Sequence, residues 1–503
     1  MTANNVKQEA KGIWEFCNFS IFNIKFQFKM KQIKSSHSRR KFLKNTVKIT
    51  AGAMALSSFP TIVPASVFGK NAPSNKINIG QIGCGRIARS HDLVEAFKND
   101  NAHIMAIADV DSNRLQDGKK LIEGWYTKKT GKDNYVDVKL YDDYHDLLSN
   151  KDVDAVMIST PDHWHAQPAM EAALAGKHIY LQKPTSLTIE EGRAMSNIVQ
   201  KSGVIFQLGS QQRSVNPWPQ FKRACELVRN GRIGKLHTVH IGLPSDPAGG
   251  NTTEMPVPEN LNYDMWLGST PYIYYTLDRV HSQTDIESRG GWLRHEQFGA
   301  GMITGWGVHH IDIAHWAMNT ELTGPIEIEA SAKFPTTGLW NVHGDYKVHA
   351  KYANGVDMYM SSKNPNGIKF EGSNGWIFVT RGNVGVTASD PGAGGNQKAF
   401  SASDPKILSS VIGVNEIHLY ESKEQHGNWL DCIQTKKPAI SPAEVAHRSC
   451  SACLVAHIAM KVPKKLYWDP EKEIFNDNIE ANKLLLRPQR YPYGTNYTVK
   501  KPM

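Results

Sequence analysis

Lys76-Ile77-Asn78-Ile79-Gly80-Gln81-Ile82-Gly83-Cys84-Gly85-Arg86-Ile87-Ala88 decides the fold. An apolar strand runs into a G-x-G-x-x-A turn, and Ile87 to Lys98 then reads as a helix. Gly83 and Gly85 permit a tight turn and close approach of backbone to a pyrophosphate. Ala88 permits close packing of helix on strand, and the helix amino terminus favours the negative phosphates. Arg86 and Ile87 lie on that turn, and a carboxylate, Asp109, ends the next strand, His103 to Asp109. Such a residue hydrogen-bonds the adenosine ribose and repels a 2′-phosphate, so the pattern predicts NAD in preference to NADP.

Outward from this turn, short apolar strands alternate with longer helical stretches. Strands are expected at Val153 to Ser159, His178 to Leu181 and Val204 to Leu208, with helices at Tyr144 to Ser149, Ala166 to Ala175 and Ile189 to Lys201. That rhythm is the mark of a parallel sheet covered on both faces. The division expected is a leader over 1–74, a Rossmann domain over 75–209, and an α+β domain over 210–503. After a helix at Pro217 to Asn230, strands begin at Lys235 and continue at Ile326 to Ala332, Lys347 to Tyr352, Asp357 to Ser361 and Gly375 to Thr380. Few helices intervene, so an open, mostly antiparallel second sheet is expected. Asn364 to Gln397 and Pro244 to Pro258 are rich in Gly, Pro and Asn and read as loop regions.

The chain has 503 residues and a formal charge of +10, but that charge is local. Residues 1–70 hold 12 Lys and Arg against 2 Asp and Glu, and the remainder holds 46 of each sign, which leaves no nucleic-acid footprint. In the leader, Ser38-Arg39-Arg40-Lys41-Phe42-Leu43-Lys44 precedes a weakly apolar run, Val47 to Val63, and small residues near Ala65. This is the layout of a twin-arginine export signal, predicting the export machinery as a partner and a periplasmic or otherwise exported location. The run is too short and polar to leave a membrane span. Cys450-x-x-Cys453 falls in a stretch of helical apolar spacing and reads as a buried helix face; no second pair completes a zinc site.

Two further motifs sit at strand ends, where ligands bind in such sheets. One is Thr160-Pro161-Asp162-His163-Trp164-His165. The other is Gln182-Lys183-Pro184, in which proline restricts the lysine before it. Together with Ala173-Leu174-Ala175-Gly176-Lys177-His178, these residues resemble the glucose-fructose oxidoreductase, inositol dehydrogenase and MocA family (Gfo/Idh/MocA). The likeness implies that Thr160, Pro161, His163, Trp164 and Gln182 line the cofactor, and that Lys183 contacts nicotinamide and substrate. Gln182 stands where the family usually has glutamate. The family's D-x-G-x-H-x-x-D helix corresponds to Gly305-Trp306-Gly307-Val308-His309-His310-Ile311-Asp312, so His309 and Asp312 match on one helix face and the first aspartate is Gly305.

The resemblance implies hydride transfer between tightly held NAD and a sugar or glycoside hydroxyl, with Lys183, His309 and Asp312 as catalytic residues. Gln211, Arg213, Trp292 and Arg294 are candidate substrate contacts, because aromatic faces and guanidinium forks suit sugar rings and hydroxyls. No metal is expected: His309, Asp312 and His315 spread too far around one helix to gather a small ion, and His310 and His315 are expected to be structural. If the protein is exported, reduced cofactor cannot exchange, so the hydride must return to a substrate. A second sugar could accept it, or the same sugar after elimination and hydration, as in the family's NAD-dependent glycosidases. An exported, non-catalytic sugar-binding module is the alternative from another class. An open second sheet also makes a homo-oligomer expected.

Overall fold

In the computed structural model, which describes residues 76–131, 134–285, 287–386, 390–392 and 397–498, the glycine turn lies at the centre of a parallel sheet. The leader, with its paired arginines, lies outside the described residues. Six strands, β1 (Ile77–Ile82), β2 (Ala102–Ala108), β3 (Lys139–Tyr141), β4 (Ala155–Ile158), β5 (His178–Leu181) and β6 (Phe206–Leu208), are ordered 3-2-1-4-5-6. Every pairing is parallel. The chain reverses its direction of travel between β1 and β4, which opens a crevice at their carboxyl ends. Gly83 (φ 78°) fits there: a Cβ on it would lie 2.9 Å from both the Ser159 carbonyl oxygen and Thr160 Cγ2.

Two elements of this layer differ from the sequence expectation. The helix Ser112–Thr130 was not anticipated because it is mostly solvated; it buries only the stripe Arg114, Leu115, Gly118, Ile122 and Tyr126. Its ends nonetheless follow the rules, with Asp111 accepting from the Asn113 and Arg114 amides and Gly131 left-handed at the carboxyl end. The short strand β3 was also missed; only its pairing with β2 defines it.

The second sheet has nine strands: β7 (Leu236–Gly242), β8 (Pro325–Ala332), β9 (Tyr346–Tyr352), β10 (Asp357–Ser361), β11 (Gly367–Gly372), β12 (Gly375–Val379), β13 (Phe400–Ala402), β14 (Leu466–Asp469) and β15 (Ile474–Asn476). Their order is 13-12-11-7-10-9-8-14-15, with β7–β10 parallel and the other assigned pairs antiparallel. The strand β11 corrects the reading of Asn364 to Gln397 as loop, since Gly367–Gly372 alternates apolar and polar residues between two partners. Buried helices Gly307–Met318 and Ala443–Lys461 cover one face. Cys450 and Cys453 are free and buried in the second of these.

The two sheets share a hydrophobic core running from Ile158 and Leu181 to Ile313, Val348 and Val455. The helix Gln425–Thr435 reaches back to the first sheet, where Trp429 and Leu430 pack with Ile77, Met157 and Tyr180. The Leu208 amide donates to the Ser441 carbonyl, so β6 is also tied to late sequence. Among the described residues, no helix is long and apolar enough to cross a membrane.

Candidate active site

The crevice at the strand ends opens into a cleft that runs from the glycine turn to the helix Gly307–Met318. Gly83, Gly85, Arg86, Ile87 and Asp109 line one end. Asp109 accepts from the Cys84 amide (2.6 Å) and the Asp111 amide (2.9 Å), so it braces the turn that it follows. A carboxylate has about four acceptor sites, which leaves capacity for ribose hydroxyls. Around Gly85 a Cβ would meet nothing closer than Arg114 Nη1 at 3.8 Å; the space beside the turn is free for a phosphate. These residues therefore fit a dinucleotide.

Thr160, Pro161, Trp164, Gln182 and Lys183 line the middle. Gln182 donates to Asp92 (2.7 Å), which also accepts from Ser159 (2.7 Å) and stands 3.4 Å from His426. The charge lacking at Gln182 is thus present one shell further out, and Asp92 with Glu424 raises His426 to about 9. His163 does not join the cleft. Its Nε2 lies 2.8 Å from the Trp266 carbonyl and its ring packs on Phe298, so it fastens a cover segment; His165 takes its place on the wall, held between the Pro184 and Thr160 carbonyls.

At the inner end, Lys183, joined to Pro184 by a cis peptide, donates from Nζ to the Gly305 carbonyl (2.8 Å). Burial lowers its pKa, with Asp162 opposing the shift. Asp162 is displaced upward by its own burial, and its Oδ2 has no hydrogen-bond partner. Although Asp162 lies within the strand-end motif, only its burial beside the lysine reveals it as part of the site. His309 lines the same wall with a free Nδ1, and burial together with Arg381 and Lys183 drives its pKa well down, keeping the ring neutral. Gln211 and Trp292 also line the cleft.

Three further expected site residues are used elsewhere. Asp312 and Arg213 are buried against each other, with Arg213 Nε and Nη2 at 2.6 and 2.9 Å from the Asp312 carboxylate. Ser210 and Ser449 complete the Asp312 shell, Glu321 takes Arg213 Nη1 (2.7 Å), and Arg213 lies over Trp316. Neither residue borders the cleft, and the pair anchors the helix Gly307–Met318 to its surroundings. Arg294 packs over Trp340 (4.5 Å), also away from the cleft. His310 and His315 each bond internally through Nε2, to Asn366 (2.9 Å) and the Tyr352 hydroxyl (2.7 Å). Conversely, Arg289 and Arg381 border the cleft with no local sequence pattern to announce them.

Family models for "Oxidoreductase family, NAD-binding Rossmann fold" and "Oxidoreductase family, C-terminal alpha/beta domain" match residues 77–210 and residues 248–385 with 392–495. The chain belongs to the Gfo/Idh/MocA oxidoreductase family. A myo-inositol 2-dehydrogenase of Thermotoga maritima is 34% identical over 34% of this chain and 46% of its own. Glycosyl hydrolase family 109 protein 2 of a Shewanella species is 36% identical over 31% of this chain and 36% of its own. The chain thus spans about half or less of the length of these curated relatives. The WlbA dehydrogenase of Bordetella pertussis, solved with NADH and UDP-GlcNAcA, shares the fold: TM-score 0.54, 16% identity, 78% of this chain and 99% of that one. Aldose-aldose oxidoreductase of Caulobacter crescentus, solved with glycerol, gives 0.53, 17%, 78% and 99%.

The glycine that replaces the family's first helix aspartate is a usable position. A Cβ on Gly305 would sit 3.5 Å from Arg289 Nη2 and 3.8 Å from Leu293 Cδ2, ordinary contacts. Gly305→Asp is therefore expected to fold and to place a carboxylate beside Arg289, on the residue whose own carbonyl holds Lys183 Nζ. An opposite charge favours the protonated lysine, so the pH midpoint of Lys183, read from the pH dependence of activity, should move up by roughly one unit. An unshifted profile would show that position 305 does not address the lysine.

Proposed function

We propose that this chain catalyses reversible hydride transfer between NAD and a ring hydroxyl of a sugar or glycoside. The observation that carries the reading is the meeting of Lys183 Nζ, the Gly305 carbonyl and neutral His309 at the inner end of the cleft whose outer end is the glycine turn. When bound, NAD supplies the hydride acceptor or donor. The residues supply the rest. Lys183, partly deprotonated by burial, takes the hydroxyl proton as the carbon–hydrogen bond breaks. His309 orients that hydroxyl from the cleft wall, and Trp292 offers the ring an apolar face.

The glycosidase route is a second reading, favoured by the glycosyl hydrolase family 109 relative and by Gly305 in place of the relay aspartate. The basic leader supports export with NAD resident, so that the hydride is returned in place; sugars are the partners this cycle needs. Purified full-length chain, denatured and analysed by mass spectrometry, should release dinucleotide; none would overturn residence. Incubation with an aryl glycoside in deuterated water then separates the routes. An intact keto-glycoside means dehydrogenase, free aglycone with ring deuterium means glycosidase, and neither product across a panel of glycosides overturns the proposal.

A further inference from the structure

Arg381 is the most constrained charge on the cleft wall. It is 4% exposed, and its guanidinium lies between the rings of Trp218 (4.1 Å) and Trp306 (4.5 Å). With its carboxamide turned so that its nitrogen donates to the His309 carbonyl (2.8 Å), Gln212 accepts from Arg381 Nε at 3.2 Å. Asp390 Oδ2 stands 3.4 Å from Nη1 and also accepts from the Val386 amide (2.6 Å). Nη2 has no partner. The guanidinium is thus fixed in plane and in rotation, with one nitrogen unused. Leaving such a donor buried and unmatched is costly, so the arrangement implies an acceptor that arrives with the ligand.

A second guanidinium shares the cleft. Arg289 is half-buried, donates from Nη2 only as far as Met302 Sδ (3.1 Å), and enters no ion pair among the described residues. It borders Gly305, the position at which the resembling helix would carry an acid. Lys183 lies within electrostatic reach of both arginines. Asp162 and Asp390 are the acids that act on Lys183, Asp246 acts on Arg289, and Asp390 is already engaged by Arg381 and the Val386 amide. Neither Lys183 nor Arg289 enters an ion pair among the described residues, whereas Arg381 meets Asp390, so two cations stand without a contacting acid where the sugar is expected.

We propose that the sugar is an acid: a uronic or aldonic acid, or a glycoside of one, whose carboxylate docks on Arg381 opposite Arg289 while a neighbouring hydroxyl lies between Lys183 and His309. This rests on the hydride-transfer reading and narrows its substrate class. A carboxylate supplies the charged acceptor that Nη2 lacks, and a neutral hydroxyl supplies no charge to match the guanidinium. During oxidation the hydride leaves carbon with its electron pair for NAD, the hydroxyl proton passes to Lys183, and the carbon–oxygen bond becomes double. The carboxylate is unchanged and serves only to hold.

The test is binding to the full-length chain, followed by tryptophan fluorescence, since Trp218 and Trp306 flank Arg381. D-glucuronate, D-gluconate, D-glucose and D-glucose 6-phosphate are titrated, and oxidation of each is followed in parallel. One of the two acids should bind at least about tenfold more tightly than glucose, as one charge-assisted pair allows. Arg381→Met should abolish that preference. Because that variant removes a buried stacked group, Arg289→Gln is the companion: it lies half-buried and unpaired, and it should narrow the acid-to-glucose affinity ratio. Equal affinity for acid and glucose, tighter binding of the phosphate than of either acid, or retained preference in both variants would overturn the proposal. An acid that binds tightly while no sugar is oxidised would overturn hydride transfer instead.

Discussion

Lys183→Met is expected to lower hydride transfer by about 10²- to 10⁴-fold, the range for loss of a positioned general acid–base, while dinucleotide stays bound. Methionine keeps the length and apolar stem of the side chain and removes only the ammonium. The residues that would hold the dinucleotide, Gly83, Gly85 and Asp109, lie at the far end of the cleft. Single-turnover rates and the dinucleotide content of purified protein separate the two effects. Undiminished turnover would remove Lys183 from the chemistry.

The pH dependence has a definite sign. Burial lowers the lysine below its ordinary value of about 10.4, and Arg289 and Arg381 add to that shift. Oxidation uses the neutral amine and should rise through that depressed midpoint; reduction uses the ammonium and should fall through it. Asp162→Asn removes the carboxylate that opposes the shift. The midpoint should then move further toward acid, and a midpoint that moves toward base would show that the carboxylate acts otherwise.

The second large effect is on stability. Asp312→Ala leaves Arg213 buried with its Nε and Nη2 partners gone, and breaking such a pair costs about 3–5 kcal/mol. Urea unfolding should show this loss. The double variant Asp312→Leu with Arg213→Met should recover much of it, because an apolar pair of similar volume is often no worse than a buried ion pair. Under conditions in which the single variant remains folded, its turnover should stay near that of the parent. A stable but inactive Asp312→Ala would return Asp312 to the chemistry.

The unequal success of the sequence reading follows from what each signal measures. The glycine turn, Asp109 and the lysine before Pro184 are constraints on backbone conformation at strand ends, and strand ends converge wherever a parallel sheet forms. Those residues accordingly meet in one cleft. His309 and Asp312 share a helix face by spacing, yet the helix Gly307–Met318 is buried on every side, so neighbouring directions meet different surroundings. His309 meets the cleft, and Asp312 meets Ser449 on the helix Ala443–Lys461. Arg213, expected at the sugar, answers a buried acid instead. Arg381 follows β12 in a stretch whose composition reads as loop, and only the stacking of two indoles from distant segments makes it part of the site. Contacts of that kind leave no local pattern to read.

The return of Trp429 and Leu430 to the core beneath β1 has a consequence for biosynthesis. A ribosome emits the nucleotide half first, but the residues that close its outer layer, and the Ser441 carbonyl that caps β6, emerge more than two hundred positions later. Until then the early strands carry an uncovered apolar flank over Tyr180 and Met157. A fragment cut after Gly209 would lack the side chains that seal its own core.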